Sequence, residues 1–97
     1  MQIVWLYRAI IDLRSARAYI AQDNPQAANR TGRKITSAIA GLAENPAIGR
    51  PGRVTGTREL LVAGTSYIVP YRVRGNTVQV LRVLHAARRW PEDFEGS

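Results

Sequence analysis

Ninety-seven residues, 45% of them hydrophobic and 22% charged, fit one globular domain over residues 1–97 and exclude a disordered chain. The absence of cysteine removes disulfides, thiol nucleophiles and thiolate metal sites, and with a single histidine and few acids neither a metal nor a cofactor is expected. Fourteen basic residues against seven acidic ones give a net charge of +7, which suits an acidic protein or a nucleic acid as partner.

The chain opens with Ile3-Val4-Trp5, a short apolar run that reads as a strand. From Leu6 the apolar residues follow helical spacing, Leu6, Ala9, Ile10, Leu13, Ala16 and Ile20, with Arg8, Asp12, Ser15 and Gln22 elsewhere around the wheel. Asn24-Pro25 then supplies an N-cap and a first helical residue that needs no amide donor. A second helix carries Ala28, Thr31, Ile35, Ala38, Ile39 and Leu42 on one face and stops before Asn45-Pro46. Residues 45–56, NPAIGRPGRVTG, hold three glycines and two prolines without periodicity and form a loop. Three strands follow in RELLVA, SYIVPYRV and TVQVLRVL, divided by Gly64-Thr65 and Gly75-Asn76. The expected fold is α+β: an N-terminal strand, then a two-helix antiparallel hairpin packed on a curved, mainly antiparallel sheet, in the order β-α-α-β-β-β. No apolar run approaches the roughly 20 residues of a membrane span and Met1-Gln2-Ile3 does not begin a signal peptide, so a cytoplasmic protein without a membrane partner is expected.

A two-residue turn at Gly75-Asn76 sets a register in which Val73 faces Val78, Tyr71 faces Val80 and Tyr67 faces Leu84. One face then carries Tyr67, Val69, Tyr71, Val73, Val78, Val80, Arg82 and Leu84 and belongs under the helices. The other carries Ile68, Pro70, Arg72, Arg74, Thr77, Gln79, Leu81, Val83 and His85 and is the more open one. Pro70 cannot donate to a ladder, so a bulge or an unpaired side is expected there.

The segments GRPGRVTGTREL, YIVPYRVRG and VQVLRVLHAARRW, with DNPQAA between the helices, together resemble the RelE/ParE superfamily of toxins from bacterial type II toxin–antitoxin pairs. The resemblance spans nearly the whole chain and lies in the order and spacing of the motifs. It implies a compact toxin held inactive by a cognate acidic, partly disordered antitoxin that also binds DNA. It further implies one of two activities: RelE-type members cut mRNA on the ribosome, and ParE-type members poison DNA gyrase without being nucleases. Compared with the RelE pattern, the arginine of the middle strand falls at Ile68, the arginine after the last strand at Arg88, and the tyrosine of the C-terminal segment near Phe94. Only one of these three groups is kept, so the chain looks closer to the ParE branch. Gyrase is then the expected target and ribosome-bound mRNA the alternative.

Thirteen of the fourteen basic residues are arginine, a bias that a GC-rich genome alone can produce, but their distribution is uneven. No acid lies between residues 60 and 91, whereas Arg72, Arg74, Arg82, Arg88 and Arg89 do; the sign reverses at Glu92, Asp93 and Glu95. The expected surface for target or antitoxin comprises Arg50, Arg53, Arg72, Arg74, Arg88, Arg89 and Trp90, because guanidinium forks pair with carboxylate and phosphate. If the protein is a nuclease, His85 and Arg88 are the catalytic candidates, the imidazole because it titrates near neutrality. Without a carboxylate nearby in sequence to orient it, His85 reads first as a residue that closes the strand by hydrogen bonding. Arg82 is expected on the helix side, paired with Glu59. Trp5, Trp90, Tyr67 and Tyr71 read as core or rim anchors. The GRPGR loop resembles a phosphate-contacting loop but lacks the ending of a nucleotide-binding P-loop.

Overall fold

The computed structural model describes residues 1–94 and contains β1 (Gln2–Trp5), α1 (Tyr7–Ala21), α2 (Pro25–Ala40), β2 (Arg50–Pro51), β3 (Arg58–Leu61), β4 (Tyr67–Arg74), β5 (Thr77–Val80) and β6 (Leu84–His85). The expected order is kept, with a two-residue β2 added in the loop and the last expected strand divided into β5 and β6. α2 starts where its cap chemistry places it: the Asn24 side chain accepts the Ala27 amide at 3.0 Å and Pro25 takes the first helical position. The helix ends in a single tight turn over Gly41–Ala43, just before Asn45-Pro46.

The strand order is β1-β5-β4-β3-β2, with β6 pairing β4. All pairings are antiparallel except β1 with β5, which run parallel. Parallel neighbours cannot be joined by a tight turn, and the α1–α2 hairpin belongs to the long crossover between them. The helices cover one sheet face, where Ala9, Ala16, Ile35 and Ile39 join Leu60, Val69, Tyr71, Val78, Val80 and Val83 in one buried cluster. Each fully buried aliphatic side chain stabilises the fold by about 1.5–3 kcal/mol relative to exposure. Ile10 was expected inward and is instead 41% exposed, because Ala9 and Leu13 already define the stripe that faces the sheet.

The hairpin register holds through its first half: Val73 faces Val78 and Tyr71 faces Val80. Of the two turn residues Gly75 has a positive φ, +57°, and Asn76 does not, as a type II′ turn requires. Beyond Val80 the register slips by one residue. The Pro70 carbonyl accepts both the Leu81 amide at 2.9 Å and the Arg82 amide at 3.4 Å, so two residues oppose one. The irregularity expected at Pro70 therefore falls on the partner strand. Its consequence is that Tyr67 faces His85 and Ile68 faces Leu84, rather than Tyr67 facing Leu84. Val83 turns into the core cluster and His85 leaves the face of Arg72 and Arg74. That face is also less open than expected, since Ile68, Pro70 and Leu81 are buried there.

Candidate functional site

The bulge brings the C-terminal segment against α1. A cavity of about 170 Å³ at this corner is lined by Asp12, Ser15 and Ala16 of α1, Tyr67 of β4, and residues 83–85 and 88–90. His85 stands edge-on to Tyr67, with ring centroids 5.4 Å apart. Its Nδ1 accepts the Ala87 amide at 3.1 Å, and its carbonyl accepts Trp90 Nε1 and the Arg88 amide, both at 3.1 Å. The neighbouring Ala86 amide donates to Ser66 at 2.7 Å. The histidine thus closes the strand, as its place in the sequence suggested. In the neutral ring one nitrogen carries the proton and the other accepts; here the accepting nitrogen faces its own backbone.

Asp12 is the carboxylate in this cavity, and it is committed elsewhere. Its oxygens take Arg82 Nε at 2.7 Å, Arg82 Nη2 at 3.0 Å and the Val83 amide at 3.0 Å. Arg82 was expected to meet Glu59; the structure pairs it with Asp12 instead. Glu59, 2% exposed, holds the GRPGR loop: Oε1 accepts Arg50 Nε and Nη2 at 3.1 and 2.9 Å, and Oε2 accepts the Arg53 amide at 2.8 Å. The same loop is pinned from below by Tyr71, whose hydroxyl donates to Pro46 at 2.7 Å and accepts the Gly49 amide at 2.8 Å. Burial pushes the Tyr71 phenol above its ordinary value, and the Gly49 bond and the Arg58 charge only partly oppose this. Once fixed, the loop sets the Arg53 guanidinium 3.7 Å from the centre of the Trp90 ring. Arg88 lies 4.8 Å over Tyr19 of α1.

The expected surface therefore divides. Arg53, Arg88, Arg89 and Trp90 of that surface meet at the corner beside the catalytic candidate His85, and Arg50 is joined to them through Glu59. Arg72 and Arg74 line a separate groove of about 580 Å³ with residues 54–57, Leu81, Asp93 and Phe94. Within it Arg72 donates to Gln79 across the ladder at 2.6 Å. Phe94 is buried, whereas Glu95 lies outside the described residues. Trp90 is the half-buried anchor it was expected to be. The sequence reading missed an apolar exterior on α1: Tyr7, Ile11 and Tyr19 are exposed at 72%, 36% and 57%. Tyr7 and Ile11 lie beside Arg8 and Arg82, Tyr19 lies under Arg88, and their signal was available as bulky residues off the buried stripe.

Residues 3–90 match the family described as ParE toxin of type II toxin-antitoxin system, parDE. The chain belongs to the ParE toxin family. Among its relatives, toxin Y4kP of Sinorhizobium fredii is 46% identical over 91 residues, covering 94% of each chain. Toxin RelE2 of Caulobacter vibrioides is 41% identical over 87 residues, covering 90% of this chain and 97% of the relative. Among solved structures, a chain of the chromosomal ParDE TA system from P. aeruginosa matches with a TM-score of 0.78 at 28% identity, covering 88% of this chain and 95% of that one. The ParE fold, two helices on a mixed, mostly antiparallel sheet that begins with the N-terminal strand, is the one described above. Membership makes the protein a type II toxin of the RelE/ParE superfamily, with an antitoxin as partner. No helix among the described residues is long and apolar enough to cross a membrane.

Proposed function

We propose that this toxin arrests growth by binding DNA gyrase, without nuclease chemistry, until an acidic antitoxin covers it. The observation that carries the reading is the loss of a cleavage set: Ile68 is apolar and buried, Phe94 has no hydroxyl and is buried, and only Arg88 keeps its charge. Cleavage of a phosphodiester needs a base and a group that meets the developing charge. His85 Nδ1 accepts the Ala87 amide, which supports a structural role for this side chain. For the antitoxin, the exposed Tyr7, Ile11 and Tyr19 supply apolar anchors, and Arg88 and Arg89 supply a cationic rim for its carboxylates. Affinity should then come from the buried apolar side chains, and charge should mainly speed association.

The alternative, ribosome-dependent mRNA cleavage, draws support from relatives named RelE and from Arg88. His85→Gln separates the two readings. Growth arrest that persists in the variant, with supercoiling inhibited by the purified chain and messages intact, is the expected result. Were the folded variant harmless, with message cuts seen only for the parent, the nuclease reading would replace the gyrase one, since a lost general base costs about 10²–10⁴ in rate.

A further inference from the structure

The outward face of α2 carries three cations in its middle turns and takes no part in the corner described above. Arg30, Arg33 and Lys34 stand at positions i, i+3 and i+4, opposite the buried Ala28, Gly32, Ile35 and Ile39. No acidic residue occurs between residues 24 and 43. Among the described residues, the ion pairs engage Arg50, Arg53 and Arg82 but none of these cations. Two shallow concavities share Arg30 and Arg33: one of about 280 Å³ adds Lys34 and Ser37, the other of about 260 Å³ adds Gln26 and Asn29. Arg17 of α1 extends the patch. Gly32 leaves a trough in which a Cβ would come within 3.0 Å of the Arg17 side chain, and Asn29 Oδ1 accepts Arg17 Nη2 at 3.1 Å. Every side chain lining the concavities is a cation or a neutral hydrogen-bonding group.

We infer that this face binds the phosphate backbone of a DNA duplex, independently of base sequence. Three features select that occupant. A protein interface needs apolar anchors at its centre, and none of the exposed large hydrophobic residues lies on α2. Single strands are held by stacking on aromatic rings, and α2 contains no aromatic residue. Interfaces with duplexes are polar and strongly positive, and arginine, amide and hydroxyl donors make most of their phosphate contacts. From Gln26 to Ser37 the stripe of hydrogen-bonding groups runs about 16 Å along the helix. A toxin held on a duplex by a partner would thereby add to the affinity of the assembly without changing its sequence preference.

The test is binding of the full-length chain to a labelled 30-base-pair DNA duplex and to the RNA duplex of the same sequence, followed by anisotropy across a salt series. Each phosphate contact contributes about 0.9 to the slope of log affinity against log salt. Arg30→Gln with Arg33→Gln should lower the slope for the bound duplex by about 2. A charge-matched control, Arg8→Gln with Arg14→Gln on exposed positions of α1, should change it little. The DNA duplex should lose affinity in the first variant alone; a loss confined to the RNA duplex, or no binding of either duplex at low salt, would overturn the inference. Equal losses in both variants would reduce the effect to net charge and overturn the inference. So would binding of a polyglutamate peptide with neither duplex bound. Circular dichroism checks that both variants are folded, which the outward placement of all four arginines favours. The outcome is independent of whether gyrase is the target.

Discussion

Asp12→Ala is expected to cause a large loss of stability although it lies outside the apolar core. It removes the acceptor of three bonds, from Arg82 Nε, Arg82 Nη2 and the Val83 amide, which tie α1 to residues 70 and 71 positions further along the chain. Both charged side chains are only 16% exposed. Breaking a buried pair by removing one member costs about 3–5 kcal/mol, because the other charge is left without a partner; the residual exposure places this pair near the lower bound. A domain of this size has about 5–15 kcal/mol in total, and 3 kcal/mol corresponds to a fall in Tm of roughly 12–24 °C. Asp12→Asn keeps an acceptor for Val83 and loses the charge, so it should fall between the parent and Asp12→Ala. Asp12→Leu combined with Arg82→Met removes both charges and should recover much of the loss. The assay is urea unfolding followed by circular dichroism, arranged as a double-mutant cycle. A change below about 0.5 kcal/mol for Asp12→Ala, in the range of an ordinary surface substitution, or strictly additive losses in the cycle, would refute the reasoning.

Tyr71→Phe should cost about 2–3 kcal/mol, since it strands the Pro46 carbonyl and the Gly49 amide beneath the loop. Because burial raises the phenol's pKa, the stability it contributes is complete below the unfolded value of 10.0 and declines as pH rises from there towards the raised folded value; the alkaline arm of a stability–pH curve should shrink in the variant. Gly49→Ala would place a Cβ 2.6 Å from the Tyr71 ring and hydroxyl, both held fast in the core, so a loss of about 1–3 kcal/mol is expected in thermal melts. Arg88→Glu with Arg89→Glu should slow capture by the antitoxin, and raising salt should slow capture by the parent far more than it speeds dissociation, as read by surface plasmon resonance; a dissociation rate that carries most of the salt effect would contradict the apolar-anchor account.

Much of this arrangement was legible in the residues, and the rest failed for identifiable reasons. Asn24-Pro25 marked the start of α2 because a cap acts within one turn, and Gly75-Asn76 fixed the pairs nearest to it. The slip after Val80 left no such mark: Leu81, Val83 and Leu84 are all apolar, so the run carries no phase from which a bulge could be read. The error then spread, putting His85 with Arg72 and Arg74 when it stands beside Tyr67. Asp12 was recoverable. It is three residues after Ala9 and four before Ala16, on the buried side of α1, where an acid has to find a partner. The stacking of Arg53 on Trp90 joins two distant parts of the chain and had no local signature.

The parallel pairing of β1 with β5 also bears on how the protein is made. Gln2 is bonded to Asn76 and Ile3 faces Val78, so the earliest strand has no partner until most of the polypeptide has left the ribosome. The helical hairpin can form from local contacts, but it has no sheet to cover until β3, β4 and β5 follow. During synthesis, at roughly 5–20 residues per second, Ile35 and Ile39 therefore remain exposed for several seconds. An antitoxin that recognises the finished surface meets its partner only after β5 has paired with β1, whereas a chaperone that recognises bare apolar helices meets it earlier. The order of the strands thus separates the moment at which this chain needs protection from the moment at which it needs restraint.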